Sequence, residues 1–207
     1  LTGVGAVERA ASVAAGQSVL VIGAGGVGQF AVQAARLARA APVIVVDPIA
    51  ARCCLALELG ASAAVTPAEL PDVLARECPD GVDHAIEVVG SAQTVQAAVD
   101  ATRPGGRVTL VGLPPAGTRL DLDPFQLVAQ EKTISGSMYG SEGPAVALPR
   151  LLDHVATGRL SLERMLGPRF PLDRVNEAVE ASLAGSPGRV MLTPRPGGNS
   201  ETEERTV

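Results

Sequence analysis

Residues 18–28 read Ser18-Val19-Leu20-Val21-Ile22-Gly23-Ala24-Gly25-Gly26-Val27-Gly28: an apolar run suited to a buried strand, then glycines at 23, 25 and 28. Beyond the glycines, apolar residues recur at helical spacing as far as residue 40. A strand that turns through GxGxxG into a helix is a dinucleotide-binding fingerprint when an acidic residue closes the following strand. Asp47 does so, 19 residues after Gly28, at the end of Val43-Ile44-Val45-Val46-Asp47. Gly23 permits the tight turn, Gly25 lets backbone N–H groups approach a pyrophosphate, and Gly28 lets the helix pack close to the strand. Gly26 and Val27 belong to the same loop, and the helix N-terminus offers partial positive charge to an anion. Asp47 would accept hydrogen bonds from the adenosine ribose hydroxyls and repel a 2′-phosphate, so NAD is expected over NADP. Two other readings stay open: an ordinary βα turn with Asp47 ending a strand before Pro48, and a methyltransferase, which would lack the sixth parallel strand.

Outward from this stretch the pattern repeats. Short apolar runs at 18–22, 43–47, 63–65, 84–89, 107–112 and 133–137 alternate with helical spacing at 26–40, 49–59, 69–77 and 91–102. Continuous apolar runs mark parallel strands covered on both faces. The expected fold class is therefore α/β, a doubly wound parallel six-stranded sheet of the Rossmann kind, with a C-terminal helical and strand segment. Gly60 is a candidate helix C-cap, and Pro104-Gly105-Gly106 suggests a turn before the fifth strand. The expected domains are a dinucleotide-binding domain over 1–137, a segment over 138–193 and a disordered tail over 194–207. Within the second of these, helices are expected at 144–157 and 173–184, a short strand at 189–193, and an unassigned stretch near 167–171.

Composition narrows the partners. Of 207 residues, 46% are hydrophobic but only 2% aromatic, with no Trp, so Ala, Val and Leu must fill the core and no stacking platform for single-stranded nucleic acid is on offer. The net charge is −5 with no run of adjacent Lys or Arg, so nothing attracts a phosphate backbone and no nucleic-acid partner is expected. Arg36 and Arg39 interrupt the longest apolar candidate, so no membrane span is expected. Cys53, Cys54 and Cys78 are too few and odd in number for a disulfide framework, which points to a reducing compartment, the cytoplasm. His84 and His154 stand apart from any zinc-type spacing. The chain starts at Leu1 without the order of a signal peptide, which reads as a processed product or a fragment.

The order of motifs resembles the cofactor-binding half of the medium-chain dehydrogenase/reductase superfamily, in its zinc-dependent alcohol dehydrogenase branch. The matching pieces are TGVGA at 2–6, GAGGVG at 23–28, Asp47, GVDHAIEVVG at 81–90, RPGGRVTLVGLPP at 103–115, TISGSMYG at 133–140 and GRVMLTP at 188–194. The resemblance implies hydride transfer between an alcohol and NAD, with an aldehyde or ketone as product. It implies that Asp47 and Arg52 hold the adenosine ribose, that Arg189 meets the pyrophosphate, and that Thr2 and Val27 lie beside the nicotinamide. It also implies that the backbone of Val111, Gly112 and Leu113 binds the carboxamide, with Val88 and Tyr139 in the same cofactor site. A homodimer through a sheet edge at 133–138 is a further implication.

The residues alone leave plainer readings open. Arg189 and Arg52 could be solvated surface groups, and Val27 and Val111 could be core. Glu87, an ionisable group in an apolar run, is read as a structural carboxyl rather than a crevice ligand. Cys53 and Cys54 read as small packing residues, and His84 as a strand residue rather than a base. In the branch that the chain resembles, zinc is held by Cys and His of an N-terminal catalytic domain, at positions that would precede Leu1, and the four-cysteine zinc lobe has no counterpart here. No catalytic residue and no metal ligand are therefore expected in this chain, which alone is expected to be inactive. The competing functions are a zinc-free quinone reductase-like enzyme and a non-catalytic dinucleotide-binding fragment. The substrate alcohol is not readable.

Overall fold

A computed structural model describes residues 1–186 and 188–194. By contacts the chain forms two compact units, Leu1–Leu162 and the described residues from Glu163 onward. The first carries α1 (Thr2–Gly5), β1 (Val19–Ile22), α2 (Gly26–Leu37), β2 (Val43–Val46), α3 (Ala50–Glu58), β3 (Ala63–Val65), α4 (Leu70–Glu77), β4 (Val82–Glu87), α5 (Ala92–Ala101), β5 (Thr102–Leu110), α6 (Pro124–Ala129), β6 (Thr133–Gly136) and α7 (Pro144–Ala156). Its six strands form one parallel sheet in the order β3-β2-β1-β4-β5-β6, the doubly wound arrangement expected. The order reverses between β1 and β4, and ligands of such sheets bind outside the strands' carboxyl ends at that point.

The apolar runs are continuous because both faces of the sheet are covered. All four residues of β1 and of β2 are buried. On one face Leu20, Ile22, Ile44, Val46, Ala85 and Val108 pack with Leu70 and Val73 of α4 and with Ala98 and Ala101 of α5. Strand alternation turns Val19, Val21, Val43 and Val45 to the other face. No Phe or Tyr is buried among the described residues, so the interior is filled by aliphatic side chains.

Several boundaries differ from expectation. Helix α2 ends at Leu37 rather than near 40, because Arg39 takes a left-handed backbone conformation with φ of 58°. Pro104-Gly105-Gly106 does not precede β5 but forms an excursion inside it: Thr102 pairs with Val82, and the next partners are Arg107 and His84. Helix α1 and the π-helical turn Ala6–Ala11 that continues it were not expected. A Cβ on Gly3 would lie 2.2 Å from the Val27 carbonyl oxygen, and one on Gly5 would lie 2.1 Å from that of Gly140. Glycine thus lets α1 press against both α2 and the loop after β6. Arg150 of α7 adds ion pairs to Glu8 and Glu142, and Arg9 lies 2.8 Å from Glu142.

The second unit pairs β7 (Leu166–Pro171) with β8 (Arg189–Thr193) in parallel, with α8 (Val175–Leu183) between them in the chain. The stretch left unassigned near 167–171 is therefore a strand. The tail expected to be disordered lies, apart from Pro194, outside the described residues.

At the amino end of β4, buried His84 places Nε2 2.9 Å from Gln17 Oε1, while its Nδ1 has no partner. Burial pushes the imidazole below the usual histidine range; Arg107 and Arg103 push the same way and Asp83 opposes them. The unfolded chain therefore takes up a proton at a pH where the folded chain does not, and stability falls as pH drops below about 6.5. Thermal unfolding between pH 7.5 and 5.5 should show this loss, and His84→Gln should flatten it. An equally steep loss in the variant would assign it to other groups.

Candidate functional site

At the carboxyl ends of β1, β4 and β5 the backbone comes together at glycines. Gly23, with φ of 98°, follows β1; a Cβ there would lie 2.7 Å from Val89 Cγ2 and 3.1 Å from Val88 Cγ2. One on Gly28 would lie 1.8 Å from the Gly23 carbonyl oxygen, and one on Gly112 would lie 2.1 Å from the Gly90 nitrogen. The glycine loop is thus packed against the valine side chains of the turn after β4, and that turn against the backbone of the loop after β5. Val88, Val111, Gly112 and Leu113 lie on these segments, with Leu113 and Val89 exposed.

Gly25 behaves differently. It is the N-cap of α2, no side chain caps that end, and a Cβ on it would meet nothing within 4 Å. The first N–H groups of a helix have no intrahelical acceptor, so here donors of Gly26 and Val27 border open space, a cradle suited to a pyrophosphate.

Asp47 follows β2 and is only 3% exposed. Its Oδ2 accepts from Ala24 N at 2.8 Å, its Oδ1 accepts from Ile49 N at 2.9 Å, and Arg52 Nη1 of α3 lies 3.6 Å from Oδ2. Each carboxylate oxygen can accept more than one hydrogen bond, so the residue both shapes the glycine loop and keeps acceptor capacity for ribose hydroxyls. Arg52 beside it is a guanidinium that could also meet a phosphate. The residues present therefore fit a nicotinamide dinucleotide.

Sequence reasoning passed over Gln29. This buried side chain in the first turn of α2 donates from Nε2 to the Ala24 carbonyl at 3.0 Å and to the Arg52 carbonyl at 2.8 Å, tying the glycine loop to α3. Two glutamines four residues apart, Gln29 and Gln33, on a helix face otherwise of small and aliphatic residues were the available signal.

Thr2 lies in α1, whose next residue, Gly3, presses against the Val27 carbonyl at the start of α2. Tyr139, 69% exposed with φ of 50°, lies in the loop held against α1. Arg189 opens β8 in the second unit, where it is exposed and pairs in register with Leu166. Cys53 is buried, its thiol 3.3 Å from the Asp47 carbonyl oxygen and pushed up mainly by burial; Cys54 is exposed. Among the described residues no three His, Cys, Asp or Glu side chains gather to hold a metal ion, so zinc does not fit them. No helix among the described residues is long and apolar enough to cross a membrane.

The profile of a family described as zinc-binding dehydrogenase matches residues 26–157. This chain belongs to the zinc-binding dehydrogenase family. Geraniol dehydrogenase of Castellaniella defragrans is 34% identical over 194 residues, covering 92% of this chain and 52% of that protein. An alcohol dehydrogenase zinc-binding domain protein from Burkholderia ambifaria superposes with a TM-score of 0.84 at 35% identity, covering 89% of this chain and 50% of that one. A protein described as a zinc-binding dehydrogenase from Sinorhizobium meliloti, bound to NADP, superposes with a TM-score of 0.82 at 32% identity, covering 93% of this chain and 56% of that one. The chain thus spans about half the length of the curated relatives it matches. The alternation read from sequence as a doubly wound sheet is the fold of these neighbours, and the methyltransferase reading is set aside.

Proposed function

We propose that this chain supplies the NAD-binding half of an alcohol dehydrogenase-like oxidoreductase, which moves a hydride between a small-molecule alcohol and NAD. The observation that carries the reading is the uncapped N-terminus of α2 facing open space at Gly25, with the Asp47 carboxylate bonded to the N–H of Ala24 just before it. The nicotinamide cofactor, when bound, supplies the hydride acceptor. The chain's own residues bind and orient it. N–H groups of the glycine loop and α2 receive the pyrophosphate, Asp47 and Arg52 hold the adenosine ribose, and the Val88–Gly90 turn with Val111, Gly112 and Leu113 forms the wall across the crevice. Thr2, Val27 and Tyr139 are assigned to the nicotinamide end.

The acidic Asp47 supports NAD over NADP, although Arg52 and the NADP held by the Sinorhizobium meliloti neighbour make the 2′-phosphate form the second reading. Zinc is not assigned ligands in this chain. The cytoplasm is the proposed compartment. A second copy of the chain is the proposed partner at the sheet edge, because β6 ends the sheet with Thr133 and Gly136 exposed.

Calorimetric titration of the chain with NAD, NADP and ADP-ribose, with metal analysis and an assay of NADH formation from primary and secondary alcohols, tests this together. Binding of NAD and ADP-ribose without bound zinc or turnover is the expected result. One zinc per chain with turnover would show the chain to be a complete enzyme, and no affinity for any dinucleotide would overturn the assignment.

A further inference from the structure

Glu87 is the last residue of β4, fully buried, and lies in register between Ile22 of β1 and Leu110 of β5. In a sheet filled mostly with aliphatic side chains, a leucine there would bury without desolvating a polar group. The carboxyl instead gathers donors from the segment that follows it. Oε1 accepts from Val89 N, Gly90 N and Thr94 Oγ1, each at 2.8 Å. The backbone carbonyl of the same residue accepts from Val111 N at 2.8 Å and from Gly112 N at 3.1 Å. One residue therefore bonds the turn after β4, the first turn of α5 and the loop after β5. Oε2 has no partner, so the group's hydrogen bonding is concentrated on the turn.

That turn is the middle piece of the crevice. Its Val89 side chain lies 2.7 Å from where a Cβ on Gly23 would stand, and Gly90, with φ of 85°, would place a Cβ 2.8 Å from the Leu113 nitrogen. Two consecutive N–H groups turned inward on Oε1 hold this conformation, and with it the spacing of the glycine loop on one side and of residues 111–113 on the other.

We propose that Glu87 is a positioning residue for the dinucleotide site: its carboxyl fixes the Val88–Gly90 turn and, through it, the distance between the glycine loop and the loop after β5. The consequence for binding rests on the reading of this crevice as a dinucleotide site; the fixing of the turn does not. Glu87→Met keeps the bulk and removes the acceptor, whereas Glu87→Gln keeps an acceptor oxygen for the same three donors.

Amide hydrogen exchange in the full chain without ligand tests the positioning, and titration with ADP-ribose tests its consequence. In Glu87→Met, exchange at Val89 and Gly90 should rise roughly ten-fold or more while amides of β1 and β2 stay protected, and ADP-ribose should bind roughly ten-fold more weakly. Glu87→Gln should restore both readouts, even where its unpaired amide hydrogens lower the melting temperature. If Glu87→Met does not fold, Glu87→Asp, one methylene short of the same donors, should show the same local exchange. Unchanged exchange at Val89 and Gly90, or a uniform rise across the sheet, overturns the proposal by making Glu87 merely a packing residue. Local exchange as expected in a chain that binds no dinucleotide upholds the positioning and overturns the functional reading instead.

Discussion

Gly28→Ala should cost the first unit about 3 kcal/mol or more, at the upper end of what overpacking causes, because the added methyl has nowhere to go. Its Cβ would stand 1.8 Å from the Gly23 carbonyl oxygen and 2.9 Å from the Gly23 carbonyl carbon. Both are backbone atoms of a turn whose N–H donates to the Val46 carbonyl at 2.9 Å. No rotamer change relieves such a clash; α2 must lift from the end of β1. For a chain of this size about 3 kcal/mol corresponds to a fall in melting temperature of roughly 6–12 °C, and dinucleotide affinity should be lost with it.

Gly25→Ala is the informative partner. Its φ of −71° suits any residue, and its Cβ would meet nothing within 4 Å, so the melting temperature should stay nearly unchanged while NAD and ADP-ribose bind much more weakly. One glycine is needed by the fold and the other by the ligand. Equal melting temperatures for the two variants, or full ADP-ribose affinity in Gly25→Ala, would contradict this division. Thermal unfolding and calorimetry on both variants provide the check.

The contrast also explains what the sequence made legible. Strands β1 and β2 stand out because both faces are covered, so every position is selected for apolar character, and the glycine pattern is local in the chain. Strand β4 stands out less cleanly, with Asp83, His84 and Glu87 among its residues. Helix α1 is not legible because its stability comes from contacts with Val27 and Gly140, far away in sequence, and from two glycines that weaken its own helical propensity. Helix α6 lies in a stretch of Pro, Gly and Asp that reads as loop, and none of its residues is buried. Strand β7 contains Gly167, Pro168 and Pro171, residues that argue against a strand until β8 is placed beside it. The position of Asp47 at the end of β2 was readable from spacing, but its bond to Ala24 N and the tie made by Gln29 were not. Glu87 was read as a structural carboxyl; which amides it holds depends on a turn that only the folded β4–β5 pair defines.

Asp47→Ala should produce the largest change in cofactor preference. In the unmodified chain the carboxylate stands at the end of β2, with Ala24 N and Ile49 N bonded to it and Arg52 3.6 Å away. Ribose hydroxyls that donate to it form charge-assisted hydrogen bonds worth about 1.5–3 kcal/mol, or roughly a ten- to 150-fold share of the affinity for NAD. A 2′-phosphate in the same place meets the carboxylate's charge and loses a hydroxyl donor, so NADP should bind the unmodified chain more weakly. Removing the carboxylate removes both effects and leaves the Arg52 guanidinium without its partner, free to pair with phosphate. NAD should therefore weaken, NADP should hold or strengthen, and the gap between them should close. Because Ala24 N also loses its acceptor, Asp47→Asn is needed beside it: it keeps an acceptor oxygen but not the charge, and isolates the electrostatic part. Titrations of both variants with NAD, NADP and adenosine separate these contributions. Tighter binding of NADP than of NAD by the unmodified chain would reverse the assignment and make Arg52, rather than Asp47, the residue that chooses the cofactor.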